Sequence, residues 1–393
     1  MGVDLNFSLF KTKSYMHTGL SFEVAENQEI IKKMVSDFAE KNIRQNVMEW
    51  DEAQHFPIEI FKQLGDLGLM GVLVPEIYGG SGFGYQEYVD VIVEVSKVCG
   101  SIGLSLAAHN SLCTGHILAF GNEEQKKKWL PKLATAEWIG AWGLTEANTG
   151  SDALGMNTTA VLDGDHYIVN GSKNWITHGK SGDVAVVMVR TGEKGDSKGI
   201  SAIVIEKGTP GFTHGKKENK LGMRASETTE LIFDHVKVPK ENLLPGVTGL
   251  KGPLSCLNSA RYGISWGVIG AAIDCHCTAV QYAKERKQFG KPIGSYQLQQ
   301  KKLAEFLTEI TKAQLLCLQL GNLKNAHKAT PAQISMAKRN NVNMAIEIAR
   351  ESRQILGGMG IMGEFPMMRH AANLESVITY EGTHDVHLLI TGL

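Results

Sequence analysis

Apolar positions between Gln28 and Ile43 fall mostly three or four residues apart, at Ile30, Ile31, Met34, Val35, Phe38 and Ile43, the spacing that lays a stripe along one face of a helix. A second helix is expected from Pro57, which suits a first helical position. Ile58, Phe61, Leu64 and Leu67 follow it, before the breaker run Tyr78-Gly79-Gly80-Ser81-Gly82. The same period fills Tyr88–Ser96 and Glu123–Leu133, so residues 20–138 read as a helical domain. The 25 positions from Val98 to Asn122 carry no formal charge, but His109, Asn110, His116 and four Ser/Thr interrupt them. That mixture predicts buried helices rather than a bilayer span.

The period then shortens. Thr158–Leu162 and His166–Val169 flank Asp163-Gly164-Asp165, a hairpin signal, and Val184–Val189, Ile200–Ile205 and Leu231–Val238 are short β-branched runs. Residues 139–245 therefore read as a β domain. After Pro245 the helical period returns in three long blocks, Pro253–Lys287, Gln297–Lys324 and Pro331–Leu356, within a C-terminal region of residues 246–393. The order α, β, α places the chain in the α+β class.

Composition narrows the function classes. Lys and Arg number 40 against 41 Asp and Glu, with no long run of either sign, which argues against a nucleic-acid or anionic-membrane partner. Six cysteines scattered through 393 residues do not form a disulfide framework, so a reducing compartment is expected. The first twenty residues hold Asp4, Lys11 and Lys13 but no apolar run and no Arg, so neither a signal peptide nor a typical mitochondrial presequence is visible. A bacterial cytoplasm, or a mitochondrial matrix after processing, is the expected location. Residues 1–19 carry no functional reading.

Two suggestive motifs reduce to structure. Gly358-Met-Gly360-Ile-Met-Gly363 has dinucleotide-fingerprint spacing, but it follows the helical run Ala345–Leu356 instead of a strand, so a glycine-rich helix exit is expected. Cys275-His276-Cys277 resembles a metal cluster, yet positions i and i+2 of a helix point to different faces and no second ligand pair stands at zinc spacing. Core cysteines, and no metal, are expected.

Three stretches resist a purely structural reading: Trp142-Gly-Leu-Thr145-Glu146-Ala-Asn-Thr149-Gly150-Ser151-Asp152, Asn170-Gly171-Ser-Lys173-Asn-Trp175-Ile176-Thr177, and Thr379-Tyr380-Glu381-Gly382-Thr383-His384-Asp385. All three resemble the acyl-CoA dehydrogenase family. Leu221-Gly222-Met223-Arg224-Ala225-Ser226, Glu285-Arg286-Lys287-Gln288-Phe289-Gly290 and Leu356-Gly357-Gly358-Met359-Gly360 add to the resemblance, in family order, from about Leu20 to the last residue. It implies an N-terminal helical domain, a middle β-barrel or sandwich domain and a C-terminal four-helix bundle.

The resemblance also implies FAD, held between the β domain and the C-terminal helices. Trp142, Leu144, Thr145, Gly150, Ser151, Trp175, Ile176 and Thr177 would line the flavin, with Thr145 and Thr177 hydrogen-bonding its ring and a Trp offering stacking area. Arg286, Gln288 and Phe289 are similar to positions that reach the FAD of a neighbouring subunit, with Gln297, Leu356, Gly357 and Gly358 nearby, so a homotetramer is implied. Thr383 and Asp385, in the motif around Glu381, join the cofactor set by the same resemblance. Core packing is the structural alternative for Trp175.

Glu381 is the expected catalytic base. Removing a proton α to a thioester needs a base held against carbon, while a hydride leaves the β carbon on the other side, and a desolvated carboxylate with a raised pKa suits the first task. By resemblance, the thioester oxygen is polarised by the base's own backbone N–H and a ribityl hydroxyl of FAD. Some relatives carry the base immediately before the arginine of the helix holding Asn258 and Arg261, but that place is Ala260 here. Asn258 and Arg261 are similar to the family's polar pair near the CoA chain, and Ser151 and Gly382 join them as substrate contacts. A solvated loop carboxylate is the alternative for Glu381, and an internal ion pair for Arg261.

From Asn258 to Gly392 the sequence most resembles glutaryl-CoA dehydrogenases, which hold a distal carboxylate with an N-terminal-domain arginine. Gly103 stands at that place, among Ile102, Leu104, Leu106 and Ala107, where an unpaired carboxylate would cost several kcal/mol. An uncharged short, medium or branched acyl group is therefore expected, with trans-2-enoyl-CoA as product and electron-transfer flavoprotein as electron acceptor. Glutaryl-CoA dehydrogenation and a catalytically silent scaffold role remain open alternatives. Family chains usually continue past Ile390-Thr391-Gly392 with a segment that helps close the flavin region, whereas this sequence stops at Leu393, which leaves open how firmly FAD is retained.

Overall fold

The computed structural model describes residues 26–393, so the expected domain start at residue 20 and the reading of the first twenty residues lie outside it. Helices α1 (Glu26–Asn42), α2 (Val47–Ala53), α3 (Ile58–Asp66), α4 (Tyr85–Val98), α5 (Gly100–Ala107), α6 (Gly115–Phe120) and α7 (Glu123–Ala134) come first. In α1 the inward stripe is Ile31, Val35 and Ala39, while Ile30 is 62% exposed: the i, i+4 row buries, and a neighbour about 100° away does not. Asn122 and Gln125 close a capping box that starts α7.

The uncharged stretch folds as α5, a π-helical segment from Ala108 to Thr114, and α6. Its polar residues are pins within the core. Asn110 accepts from the Val72 N–H and donates to the carbonyls of Leu69 and Leu106, and His109 bonds both Leu133 and Gly140.

Strands β1 (Gly140–Gly143), β2 (Thr159–Asp163), β3 (His166–Thr177), β4 (Val184–Arg190), β5 (Ile200–Glu206), β6 (Phe212–His214) and β7 (Thr228–Pro239) form one sheet in the order β1-β4-β2-β3-β7-β6, with β5 on β4. The β1–β4 pairing is parallel and the β2–β3, β3–β7 and β4–β5 pairings are antiparallel. β4 is apolar from Val184 to Val189, and β5 is apolar from Ile200 to Ile205 apart from Ser201, because both faces are covered. Val184, Val186 and Met188 pack with Trp129 and Leu133, and Ala185, Val187 and Val189 pack with Val169, Leu231 and Phe233.

Helix α8 (Lys251–Glu285) leads to a small hairpin, β8 (Lys287–Gln288) and β9 (Lys291–Pro292), and then α9 (Gln297–Asn325), α10 (Pro331–Ile355), α11 (Met367–Thr379) and α12 (His384–Gly392). α8 is long and apolar enough to cross a bilayer, but 78% of its apolar window is buried inside the protein, as befits a central core helix. It packs between α4 and α10, so the first and last helical regions share one core from Ile31 to Val377. The glycine-rich run Gly357–Ile361 is a 3-10 exit from α10, the reverse of a dinucleotide turn. Cys275 is buried on α8, and His276 turns its ring edge to Phe306.

Candidate active site

Tyr380 ends α11 and Thr383 caps α12, its hydroxyl accepting from the Val386 N–H at 3.2 Å, which leaves Glu381 and Gly382 as the turn between them. Both are left-handed, at φ 52° and 97°. For Glu381 that conformation costs about 1 kcal/mol, so its surroundings must impose it. Gly382 is required twice over, because a Cβ there would stand 2.9 Å from His387 Nε2 as well as adopting a strained φ.

Two cations from distant helices impose the turn. Arg261 on α8 donates from Nε to the Glu381 carbonyl at 2.8 Å and from a terminal nitrogen to Asn258 Oδ1 at 3.1 Å. Lys338 on α10 donates to the carbonyls of Val377, Tyr380 and Gly382 at 2.6, 3.0 and 3.0 Å. Neither occupies the carboxylate, whose Oε2 is buried without a hydrogen-bond partner among the described residues. Burial pushes the Glu381 carboxyl up to about 7, against the opposing pull of Arg261 and Lys338.

A cavity of about 30 Å³ lies beside this turn, lined by Ser96, Gly103, Leu104, Ile264, Val268, Val377 and Tyr380 among others, with no Lys or Arg in its wall. Its polar side chains are those of Ser96, His370, Asn373 and Tyr380, and burial lowers the pKa of His370 despite the Asp274 carboxylate on its Nε2. At Gly103 a Cβ would fall 2.1 Å from Ser96 Oγ and 3.1 Å from its Cβ, so any side chain there requires Ser96 to move.

On the β domain, the Glu146–Lys173 ion pair at 2.8 Å ties the loop after β1 to β3, and Glu146 also accepts from the N–H groups of Asn157 and Thr158. The Asn174 N–H donates to the Thr145 carbonyl at 2.8 Å, closing the same joint. The β3–β7 register slips between Lys173 and Ile176, and Trp175 in the slip has φ 62° and is 63% exposed. The core-packing alternative for Trp175 therefore fails. Thr145 and Thr177 are half-buried, and their hydroxyls make no hydrogen bond among the described residues, while Asn174 Oδ1 and Thr149 Oγ1 are buried and unpartnered. An open indole beside unpaired hydroxyls fits a planar, polar conjugated ring such as a flavin.

Other expected cofactor positions differ in what they offer. Leu144, Ile176 and Leu356 are buried at 7%, 3% and 3% exposure, so their side chains serve the core and only their main chain can face a ligand. The Trp142 indole N–H is already donated to His116 at 2.9 Å. Gly150, Ser151, Gly357, Gly358 and Asp385 are exposed. Arg286 and Gln288 are exposed at the β8–β9 hairpin, Phe289 at its tip is 95% exposed, and Gln297 opens α9 on the surface.

Lys338, His387 and the Glu146–Lys173 pair had no assigned role in the sequence reading. Lys338 did leave a signal, because it stands on the buried stripe of α10 with Ile334, Asn341 and Ala345, where a charged residue is out of place.

Comparison with known proteins agrees along the whole described chain. The families described as acyl-CoA dehydrogenase N-terminal, middle and C-terminal domains match residues 25–137, 141–236 and 248–392. A short-chain specific acyl-CoA dehydrogenase of Clostridium acetobutylicum is 39% identical over 94% of this chain and 98% of its own. A glutaryl-CoA dehydrogenase of Mycobacterium smegmatis, solved in complex with FADH2, is 42% identical with a TM-score of 0.90, covering 94% of each chain. A chain solved in work on the electron transferring flavoprotein of Acidaminococcus fermentans is 40% identical with a TM-score of 0.92, covering 95% of this chain and 98% of that one. The chain belongs to the acyl-CoA dehydrogenase family, FAD-dependent oxidoreductases built from helical N- and C-terminal domains around a middle β-sheet domain.

Proposed function

We propose that this chain converts an uncharged short, medium or branched acyl-CoA to the trans-2-enoyl-CoA, with Glu381 as the base that takes the α-proton. The observation that carries this reading is the Glu381 carboxylate, raised to about 7, with a buried oxygen that has no hydrogen-bond partner among the described residues, on the turn that follows Tyr380, which itself lines a cavity without Lys or Arg in its wall. A carboxylate poised near neutrality matches the driving force for abstracting a weakly acidic C–H proton. Arg261 and Lys338 hold the turn through carbonyls, leaving the carboxylate oxygens for the substrate. FAD, when bound, supplies the acceptor for the hydride that leaves the β carbon. Thr145, Trp175 and Thr177 would hold its ring, and Arg286, Gln288 and Phe289 would reach a neighbouring subunit of a homotetramer, which accords with a Phe left 95% exposed at a hairpin tip. Asn258, Arg261, Ser151 and Gly382 would contact the substrate. Electrons would pass to electron-transfer flavoprotein, in a bacterial cytoplasm or a mitochondrial matrix.

The similarity to the Mycobacterium smegmatis enzyme favours glutaryl-CoA as a second reading. Against it stands Gly103, which offers no cation at that place and whose Cβ position is taken up by Ser96. An anaerobic titration with butyryl-, isobutyryl-, octanoyl- and glutaryl-CoA, following the flavin absorbance band, decides. Bleaching by the uncharged substrates supports the first reading, and bleaching chiefly by glutaryl-CoA replaces it with the second. Dye reduction without peroxide production in air would support a protein acceptor over oxygen.

A further inference from the structure

Lys338 is fully buried, yet among the described residues no carboxylate lies within ion-pairing distance of it. Its three contacts are main-chain carbonyls, and three acceptors facing one Nζ are satisfied together by the three N–H bonds of the ammonium form. Two of those carbonyls, Tyr380 and Gly382, flank Glu381 in sequence, and the third, Val377, lies in the last turn of α11. One cation thus grips both sides of the left-handed residue and sits at the negative end of a helix.

We propose that Lys338 is the positioning residue of the base: by gripping the carbonyls on both sides of Glu381 it fixes the turn that presents the carboxylate, and it sets a buried positive charge at that turn. This rests on Glu381 being the base. The groups facing Glu381 are Arg261 from α8, Lys338 from α10, Tyr88 from α4, Tyr380 from α11 and the His384–His387 face of α12. Burial keeps both tyrosines protonated by raising their pKa, and it lowers both histidines, His387 to about 3. Arg261 and Lys338 are therefore the cations that oppose the desolvation of Glu381. Burial also lowers Lys338 to about 7, so lysine and carboxylate titrate as a coupled pair, each favouring the charged form of the other.

The test compares K338M, K338Q and K338R with wild type and E381Q as FAD-loaded enzymes, using the acyl-CoA of the panel above that bleaches the flavin fastest. Thermal stability, kcat, KM and the acid limb of the kcat–pH profile are read for each. K338M and K338Q are expected to lose about tenfold or more in kcat at neutral pH, with KM changed less than about threefold, and to move the acid limb up by about one pH unit. K338R keeps the charge, and its acid limb stays at the wild-type position even where its rate is lower. A wild-type acid limb in a folded charge-free variant overturns the proposal and leaves a purely structural lysine, as does a K338R limb shifted as far as that of K338M. If K338M does not fold, K338Q decides, and if neither folds, a K338R acid limb raised by about one pH unit from wild type overturns the proposal and an unshifted one supports it. Full activity in E381Q would remove the base assignment itself, whatever the lysine variants do.

Discussion

The Arg261 guanidinium donates to the main-chain carbonyl of Glu381 at 2.8 Å and leaves the carboxylate alone. A direct bidentate pair would pull the carboxyl down and occupy both oxygens, spoiling it as a base. By holding the backbone, the arginine fixes the left-handed turn and contributes only through-space stabilisation of the anion. Replacing Arg261 with Met should cost about 2 kcal/mol of stability, from a lost charged hydrogen bond to a buried carbonyl. It should also raise the Glu381 pKa, seen as an upward shift in the acid limb of the kcat–pH profile.

Protonation of Glu381 links activity and stability in opposite directions. Its carboxyl rises from 4.5 to about 7 on folding, so between those values the folded state binds more protons than the unfolded one. This group's contribution to stability is full below 4.5, falls as pH rises, and is lost above about 7, by at most about 3 kcal/mol. Activity, which needs the anion, rises through the same window. Calorimetry of E381Q, which cannot ionise there, should show its melting temperature gaining on wild type between about pH 5 and about pH 8. An unchanged gap would mean the carboxyl is not raised.

Ser96 fills the space that a side chain at residue 103 would need. Gly103→Ala should therefore destabilise the protein by about 1–3 kcal/mol through overpacking, and Ser96→Gly in the same chain should recover part of that loss. Chemical denaturation of the three variants checks both. A fully stable Gly103→Ala would show that α4 and α5 yield easily, and the case against an arginine there would weaken.

The Glu146–Lys173 pair is a joint whose loss should be felt at the flavin side. Burial lowers Lys173 to about 8 even beside its carboxylate, so the pair is held by placement at a desolvation cost. Lys173→Met strands a buried carboxylate and should cost about 3–5 kcal/mol, while Glu146→Gln with Lys173→Met should cost less. Because the joint sets the Thr145–Asn174 contact, flavin absorbance per protein should fall in the single variant and partly return in the double.

Much of the architecture was legible because it is written in local periods. The apolar runs at Val184–Val189 and Ile200–Ile205, the second broken only by Ser201, became strands covered on both faces, and the charge-free stretch became buried helices. Ile30 was misplaced because a six-residue apolar pattern tolerates two neighbouring stripes, and tertiary packing chose the other. The site was legible only as motifs. Arg261 and Glu381 lie 120 positions apart, and Lys338 and Gly382 lie 44 apart, so no local pattern reports their contacts. Leu144, Ile176 and Leu356 sit inside cofactor-like motifs yet point into the core, since a motif does not say which of its side chains face the ligand.

The central claim is that Glu381 is the base. The most direct measurement is anaerobic mixing of FAD-loaded wild type and E381Q with butyryl-CoA, or whichever acyl-CoA of the panel bleaches wild type best, while the flavin band is followed. Wild type should bleach, whereas E381Q should retain its FAD, bind the acyl-CoA and stay oxidised. Bleaching of E381Q at the wild-type rate would contradict the account and move the proton abstraction to another group.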